Sequence, residues 1–430
     1  MDKFLDKLQM ALGPIANKLN SNRYLAAIRD GFFGATSIII IGSMFLLFAN
    51  LPITGYSAFM SHLLGKNWAD WFNVPYNLSM GLMTIYVIIG MAKSLADYYK
   101  IDSIAAITMS FAGFLILTPE SVFKTLSYLP ATNFSASGLF LGMFATILAV
   151  EIVRLVLQRG WKIKMPDGVP ENVSTSFEAL IPGVFVFVIF DVIRFIFSIT
   201  DFASAQAFIF KIIQTPLTSI GSSYPATMLV EFLACVLFSF GLHGPNILGG
   251  VMQPIWLALT AENAAQVAAG KLPTHVVNYQ FDANFVKLGG CGATIGLALA
   301  MLFLAKSDQF KALGKLAIGP GIFNINEPLI FGIPIVLNPI MVIPFVLSPL
   351  IFVTLAYFAM SSGLVPITNG TNIPWTTPPV IAGFLLSGWK GALFQVVEIA
   401  VSFVLYYPFF KVADRQALKA EEEAVALETA

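Results

Sequence analysis

Apolar runs long enough to cross a bilayer recur along almost the whole chain. A hydrocarbon core of roughly 30 Å needs about 20 apolar residues in a helix. Runs near that length cover 32–50, 78–95, 138–157, 180–199, 225–242, 288–305, 340–360 and 392–410, with a shorter one at 104–117. Backbone inside lipid must satisfy its own hydrogen bonds, so each such run reads as a helix. Charged residues make up only 11% of the 430, against about 25% in a soluble chain. The pattern predicts an all-α polytopic membrane protein with about ten transmembrane helices, two re-entrant hairpins and interfacial amphipathic helices.

Loop charges orient it. Lysine and arginine gather near the N-terminus, at Lys93 and Lys100, and at Arg154, Arg159, Lys162 and Lys164, whereas loops 51–77 and 118–137 hold only Lys66 and Lys124. The positive-inside rule then predicts cytoplasmic termini in a plasma membrane. Residues 1–30 repeat Leu5, Leu8, Leu12, Ile15 and Leu19 at helical spacing, as a cytoplasmic amphipathic segment does, and no cleavable signal peptide is visible. Trp68 and Trp71 read as interface anchors in a loop. A long polar connector over 159–177 divides a regular N-terminal half, 31–200, from a half broken by Gly, Pro and amides, 201–410; 411–430 reads as a cytoplasmic tail. The first half suits a scaffold or subunit contact, the second a solute site. Residues 201–216 suggest an interfacial helix, and 244–290 a first re-entrant hairpin plus a loop.

The most broken stretch is 319–339, GPGIFNINEPLIFGIPIVLNP. It is strongly apolar, yet Pro320, Pro328, Pro334 and Pro339 come too often for one continuous helix. At its centre Asn324, Asn326 and Glu327 form a polar knot. Irregular backbone at membrane depth persists only where protein buries it or where it lines a wet cavity. A second hairpin holding a polar solute is expected, with Glu327 either a site residue or an anchor for broken helix ends. His243 and Asn246, in FGLHGPNILGG, form a second broken polar knot, where a histidine can equally be a helix cap. In TNGTNIPWTTPP, Trp375 stands among Asn369, Thr371 and Asn372 and offers a face for a sugar ring, or an interfacial belt. Asp282, Asn284 and Lys287 add polar groups in NYQFDANFVK. Asp191 and Arg194, one turn apart, suggest a structural pair, and Glu151, Glu231 and Glu398 suggest helix–helix glue. Two cysteines and three histidines lack metal-ligand spacing, no basic stripe points to nucleic acid, and no hydrolase or nucleotide motif occurs.

At GFFGATSIIIIGSMF, KMPDGVPENVSTSFEALIPG, GLHGPN, LGGCGATIGL, GIFNINEPLIFGIPIVLNPIMVIPF and TNIPWTTPP the chain resembles the enzyme IIC permeases of sugar phosphotransferase systems, in the lactose/cellobiose/chitobiose family. The likeness runs from about residue 30 to 380. It implies a homodimer in bacterial membrane lipid, joined through the N-terminal halves. It further implies a disaccharide held between two re-entrant hairpins. The family's site histidine and glutamate fall on His243 and Glu327, its stacking tryptophan on Trp375, and its site amides on Asn246, Asn324 and Asn326; Asp282 and Lys287 match less closely. No cofactor is implied. The phosphoryl group comes from phosphoenolpyruvate through phospho-IIB, and IIA and IIB are expected as separate chains. The chain is then the transport subunit of a phosphohistidine–sugar phosphotransferase, and cellobiose or another β-glucoside is the preferred sugar. The competing classes are a proton- or sodium-coupled sugar transporter, with Glu327 as its proton site, and an enzyme acting on lipid-linked sugar.

Overall fold

The computed structural model describes residues 14, 18, 21–51, 53, 55–166, 168, 169, 171–332, 335 and 339–428. The whole amphipathic stripe of Leu5, Leu8, Leu12, Ile15 and Leu19, together with Pro334, lies outside the described residues. Among the described residues six helices are long and apolar enough to cross a membrane: Arg23–Ala49, Trp68–Tyr99, Ala136–Gln158, Ser174–Ser198, Ile340–Ser361 and Ile381–Glu423. The pair Ala205–Gly221 and Tyr224–Ser239, bent by 71°, meets the same length and hydropathy only when taken together, as a broken span or a re-entrant loop, and two shorter apolar helices cover Ser103–Leu117 and Ile295–Leu304. The fold is the expected all-α multi-pass bundle. Among the described residues its strands are one hairpin, with Ser121 opposite Tyr128 and Val122 opposite Ser127, inside a segment read as plain loop.

The N-terminal body is built on close helix packing. Asn22 caps Arg23–Ala49, its side-chain oxygen accepting from the Tyr24 and Leu25 N–H groups at 3.0 and 3.2 Å. Small residues then let this helix lie directly on Met83–Tyr99: a Cβ on Gly90 would stand 2.9 Å from the Cα of Gly31. With no hydrophobic drive between helices in lipid, such small-residue seams supply the packing. Glu151 does act as interhelical glue. It accepts from Tyr24 Oη at 3.0 Å, from Tyr99 Oη, and from Arg154 Nε and Nη2 at 2.9 and 2.6 Å. The Asp191–Arg194 pair also forms, at 2.8 Å.

Segment 51–77 departs from the loop expected of it and carries helices Tyr56–Leu64 and Trp68–Ser79. Trp68 is 4% exposed rather than a belt residue. Its Nε1–H donates to Ser61 Oγ at 3.1 Å, and its ring packs edge-on to Tyr56 and Phe72. Only Trp71, 72% exposed, has the expected setting. The two tryptophans lie three residues apart, so local sequence gave no sign of which one the helix turns inward.

In the C-terminal half, the expected helix at 201–216 is Ala205–Gly221 with a π-turn at Phe210–Gln214. Segment 244–290 differs in detail from its reading. Its first arm is an unbroken 25-residue helix, Gly244–Ala268, that carries Pro254 inside and Pro245 in its first turn, where no N–H partner is needed. The chain returns through 269–278 to a short helical turn, Tyr279–Phe281 continued by a π-turn at Asp282–Val286. The run at 288–305 is helical only from Ile295. Before it, Gly289, Gly290, Gly292 and Ala293 all have positive φ, so a tight turn replaces the first part of the expected span. Glycine is required at all three of its positions in this turn, where an added Cβ would lie within 3 Å of other atoms. A Cβ on Gly290 would fall 2.5 Å from Asn326 Cγ, and one on Gly292 2.2 Å from a Phe345 ring carbon.

The broken stretch is a hairpin. Helix Asp308–Ile322 carries Pro320 in its last turn, Asn324 reverses the chain at φ 61°, and Glu327–Gly332 forms the second arm. Phe310, Leu313, Ala317 and Gly321 are buried along one face of the first arm, the spacing of an amphipathic helix. The last helix, Ile381–Glu428, kinks at Ser387 and Gly388 and continues through the expected tail. That tail docks on the base of the hairpin: Asp414 accepts from the Lys306 and Ser307 N–H groups, and Glu421 from those of Asp308 and Gln309.

Candidate functional site

Between the bent Tyr224–Ser239 helix, the start of Gly244–Ala268, the Tyr279–Phe281 turn and the hairpin lies a cavity of about 430 Å³. Burial of a small polar solute needs such a space, lined by apolar faces and a few convergent polar groups. His243, Asn246, Asp282 and Lys287 line it from one side of the chain order, and Asn324, Asn326, Glu327 and Trp375 from the other. All eight residues singled out in the sequence therefore meet at one place, although 132 positions separate the first from the last.

Their settings differ. His243 precedes Gly244–Ala268 as its cap, and its Nδ1 accepts from the Asn246 N–H at 3.3 Å. In the neutral ring this leaves the proton on Nε2. The ring also leans on Phe238, with centroids 4.7 Å apart. The cap role and the cavity position are thus compatible. Glu327 opens the second hairpin arm and is exposed, and among the described residues no side chain pairs with it. Trp375 is 48% exposed, so a ring face is free for a ligand.

The two hairpin asparagines hold the frame as well as line the cavity. Asn324 Oδ1 accepts from the Gly289 N–H at 2.7 Å, and its Nδ2 donates to the carbonyls of Trp375 and Thr377 at 2.7 and 3.2 Å. Asn326 Nδ2 donates to the Cys291 carbonyl at 2.6 Å and to Thr294 Oγ1 at 3.0 Å. Hairpin, glycine turn and tryptophan loop are thus tied together by amides. A further buried network supports the Trp375 loop from behind. Gln280 donates to Asn372 Oδ1, Asn284 donates to Gln280 at 2.8 Å, and Ser43 of the N-terminal body donates to the Asn372 carbonyl at 2.7 Å. Asn369, Thr371 and Asn372, which the sequence sets around Trp375, do not line the cavity, and neither does Asn284.

Lys287 donates to Asp282 Oδ2 at 2.6 Å and stands 3.0 Å from Glu231 Oε1. Its Nζ also lies 5.9 Å from the centre of the Trp256 ring, within cation–π range. Glu231 lines the cavity and was read from the sequence only as helix glue. One signal pointed to it: it is the sole charged residue of the Tyr224–Ser239 helix, and an ionisable group in a span defaults to a site hypothesis. Trp256, Gln253 and Tyr279, also on the wall, carried no such mark.

The family described as phosphotransferase system, EIIC, matches residues 29–349. The chain belongs to this family. The lichenan permease IIC component of Bacillus subtilis (strain 168) is 41% identical to this EIIC over 441 residues, spanning 100% of this chain and 98% of the relative. The cellobiose-specific EIIC component of Geobacillus stearothermophilus is 42% identical over 439 residues, spanning 99% and 97%. Among solved structures, the transporter ChbC, the IIC component from the N,N'-diacetylchitobiose-specific phosphotransferase system, matches with a TM-score of 0.92 at 40% identity. That match covers 97% of this chain and 99% of ChbC. The resemblance carried by INEP and FGIPIVLNP thus extends over the whole fold, and the EIIC is a multi-pass membrane permease component of a sugar phosphotransferase system.

Proposed function

We propose that this EIIC carries a β-linked glucose disaccharide, cellobiose or a close analogue, across the plasma membrane and presents its C6 hydroxyl for phosphorylation by a separate phospho-IIB protein. The relatives named for cellobiose and lichenan support the sugar class. The observation that carries the chemistry is the pairing, in one cavity, of an unpartnered Glu327 with a half-exposed Trp375. A pyranose presents an apolar face to an indole and hydroxyl donors at its rim, and those donors match a free carboxylate.

In this reading Trp375 stacks on a sugar ring, and the C6 hydroxyl donates to Glu327. The phosphoryl donor is the phosphocysteine of IIB, reached from the cytoplasm. As the new O–P bond forms and the S–P bond breaks, the hydroxyl proton passes to Glu327 as general base. His243, with Nδ1 occupied by the Asn246 N–H, donates from Nε2 to the same hydroxyl oxygen or its neighbour. Asn246, Asp282, Lys287, Asn324 and Asn326 complete the lining. The working assembly is a homodimer through the N-terminal bodies with cytoplasmic termini, served by IIA and IIB proteins and the phosphoenolpyruvate phosphorelay.

The test is reconstitution of the full chain in vesicles with the phosphorelay proteins. Glu327→Gln is expected to bind cellobiose within about tenfold of the unaltered chain and to lose phosphoryl transfer by about 10²-fold or more. Undiminished sugar phosphate formation by that variant overturns the base role. Accumulation of unmodified sugar under a proton or sodium gradient, with no phosphorelay present, overturns the whole reading.

A further inference from the structure

The reading above gives no role to Glu231. It lies midway along an apolar helix, is 0% exposed, and sits in the cavity wall beside Asp282 and Lys287. One ammonium faces two carboxylates there. Lys287 makes its hydrogen bond to Asp282 Oδ2, at 2.6 Å. Toward Glu231 it makes only an ion-pair contact, 3.0 Å from Oε1 and off the line of a hydrogen bond. Apart from that shared ammonium, no donor among the described residues reaches Glu231, and none reaches Asp282 Oδ1.

A structural ion pair does not need this surplus. Lys287 already pairs with Asp282 through Oδ2, and a second buried carboxylate adds a desolvation penalty that one shared ammonium does not offset. Buried polar atoms without partners are rare in native structures, and each calls for an explanation. Here the explanation lies in the cavity: the missing donors are ligand hydroxyls. We infer that Glu231 is a sugar-binding residue that accepts from hydroxyls on the disaccharide, on elements separate from the Glu327 hairpin. Its two oxygens suit two adjacent ring hydroxyls, one each, and Lys287, 3.0 Å from Oε1, orients the carboxyl group. The inference rests on the disaccharide reading of the cavity and adds to it a determinant of which ring hydroxyls are required.

The experiment is calorimetric titration of the purified full chain with cellobiose and a panel of its monodeoxy analogues, using the unaltered protein and Glu231→Gln. A site built to hydrogen-bond a hydroxyl rejects the analogue lacking it, and loses that discrimination when the acceptor is weakened. Expected is a loss of about tenfold or more in cellobiose affinity for Glu231→Gln. For one or two analogues lacking the contacted hydroxyls, both proteins should bind within about twofold of each other. Equal cellobiose affinity overturns the inference, and so does a uniform loss across the panel, which marks a structural role. If Glu231→Gln does not fold, Glu231→Asp keeps the charge beside Lys287 and withdraws the oxygens by one methylene, and the same hydroxyl-selective loss is required. An unaltered chain that binds no β-linked disaccharide overturns the parent reading and this inference with it. An unaltered chain that binds cellobiose, with a flat panel for both variants, overturns this inference alone.

Discussion

Two carboxylates on apolar helices, the half-buried Glu151 in the N-terminal body and the buried Glu231 in the cavity wall, have opposite surroundings. Glu151 is surrounded by donors: Tyr24, Tyr99 and Arg154 all reach it, and Arg23 stands 3.8 Å away. Glu231 has beside it one ammonium, shared with Asp282, and no other donor among the described residues. Both residues are single acidic groups on apolar helices, so local sequence alone does not separate them. The difference is one of completion. A carboxylate whose acceptors are all served from within the fold stabilises that fold, whereas one left unserved next to a cavity is arranged for a ligand. The same contrast appears within the hairpin, where Asn324 and Asn326 are engaged by the frame and Glu327, the next residue, is not.

The strongest challenge to this contrast is at Glu327. If it is the free acceptor of the site, Glu327→Gln should leave the melting temperature of the purified protein unchanged while phosphoryl transfer falls by about 10²-fold or more. A variant that melts several degrees lower would make Glu327 part of the frame instead.

The neighbouring amide should behave in the reverse way. Asn326→Ala strands the Cys291 carbonyl in a buried turn and leaves the Thr294 hydroxyl only its bond to the Gly289 carbonyl, at a cost of about 1–3 kcal/mol. A lowered melting temperature is expected without sugar, together with weaker sugar binding because the hairpin loses its tie to the glycine turn. Unchanged stability would mean that the bonds from Asn326 to Cys291 and Thr294 contribute little. Trp375→Ala removes a half-exposed ring whose carbonyl, not its indole, is bonded to the frame. Sugar affinity should fall roughly tenfold, about 1.4 kcal/mol, with the melting temperature held. An unaltered titration curve would remove the indole from the site.

How far the residues alone could be read follows the same division. Spans such as Ser103–Leu117 and Leu180–Ser198 were legible within a residue or two, because lipid leaves an apolar run no alternative to a helix. The broken stretch was legible as a hairpin through its prolines, and its polar knot as a cavity lining through the cost of polar groups at that depth. What stayed hidden was tertiary pairing. Nothing near Asn324 shows that its amide will meet Gly289, 35 positions away. Nothing near Gly290 shows that an asparagine side chain will occupy the space of its missing Cβ. Pro254 argued locally for a break, yet Gly244–Ala268 runs through it. Glu231 was undervalued because its neighbour Lys287 is 56 residues on, and the imbalance of charge exists only once the fold brings them together.

The smallest effect is expected at Glu151, and it is the control on which the comparison depends. Glu151→Gln keeps an acceptor for Tyr24 and Tyr99 and removes the charge that Arg154 contacts at 2.6 Å, near the edge of the bundle where the two side chains are 16% and 19% exposed. Partly solvated pairs of this kind contribute about 0–1 kcal/mol, and replacement by an amide retains most of the hydrogen bonding. The melting temperature should therefore drop by only a few degrees at most, and cellobiose affinity should not change. Equivalent Glu→Gln substitutions at 151 and 231 would then part cleanly, one read in stability and the other in hydroxyl-selective binding. If Glu151→Gln instead weakened sugar binding as much as Glu231→Gln does, a carboxylate's own hydrogen-bond completion would not predict its role, and the assignment of Glu231 would lose its physical basis.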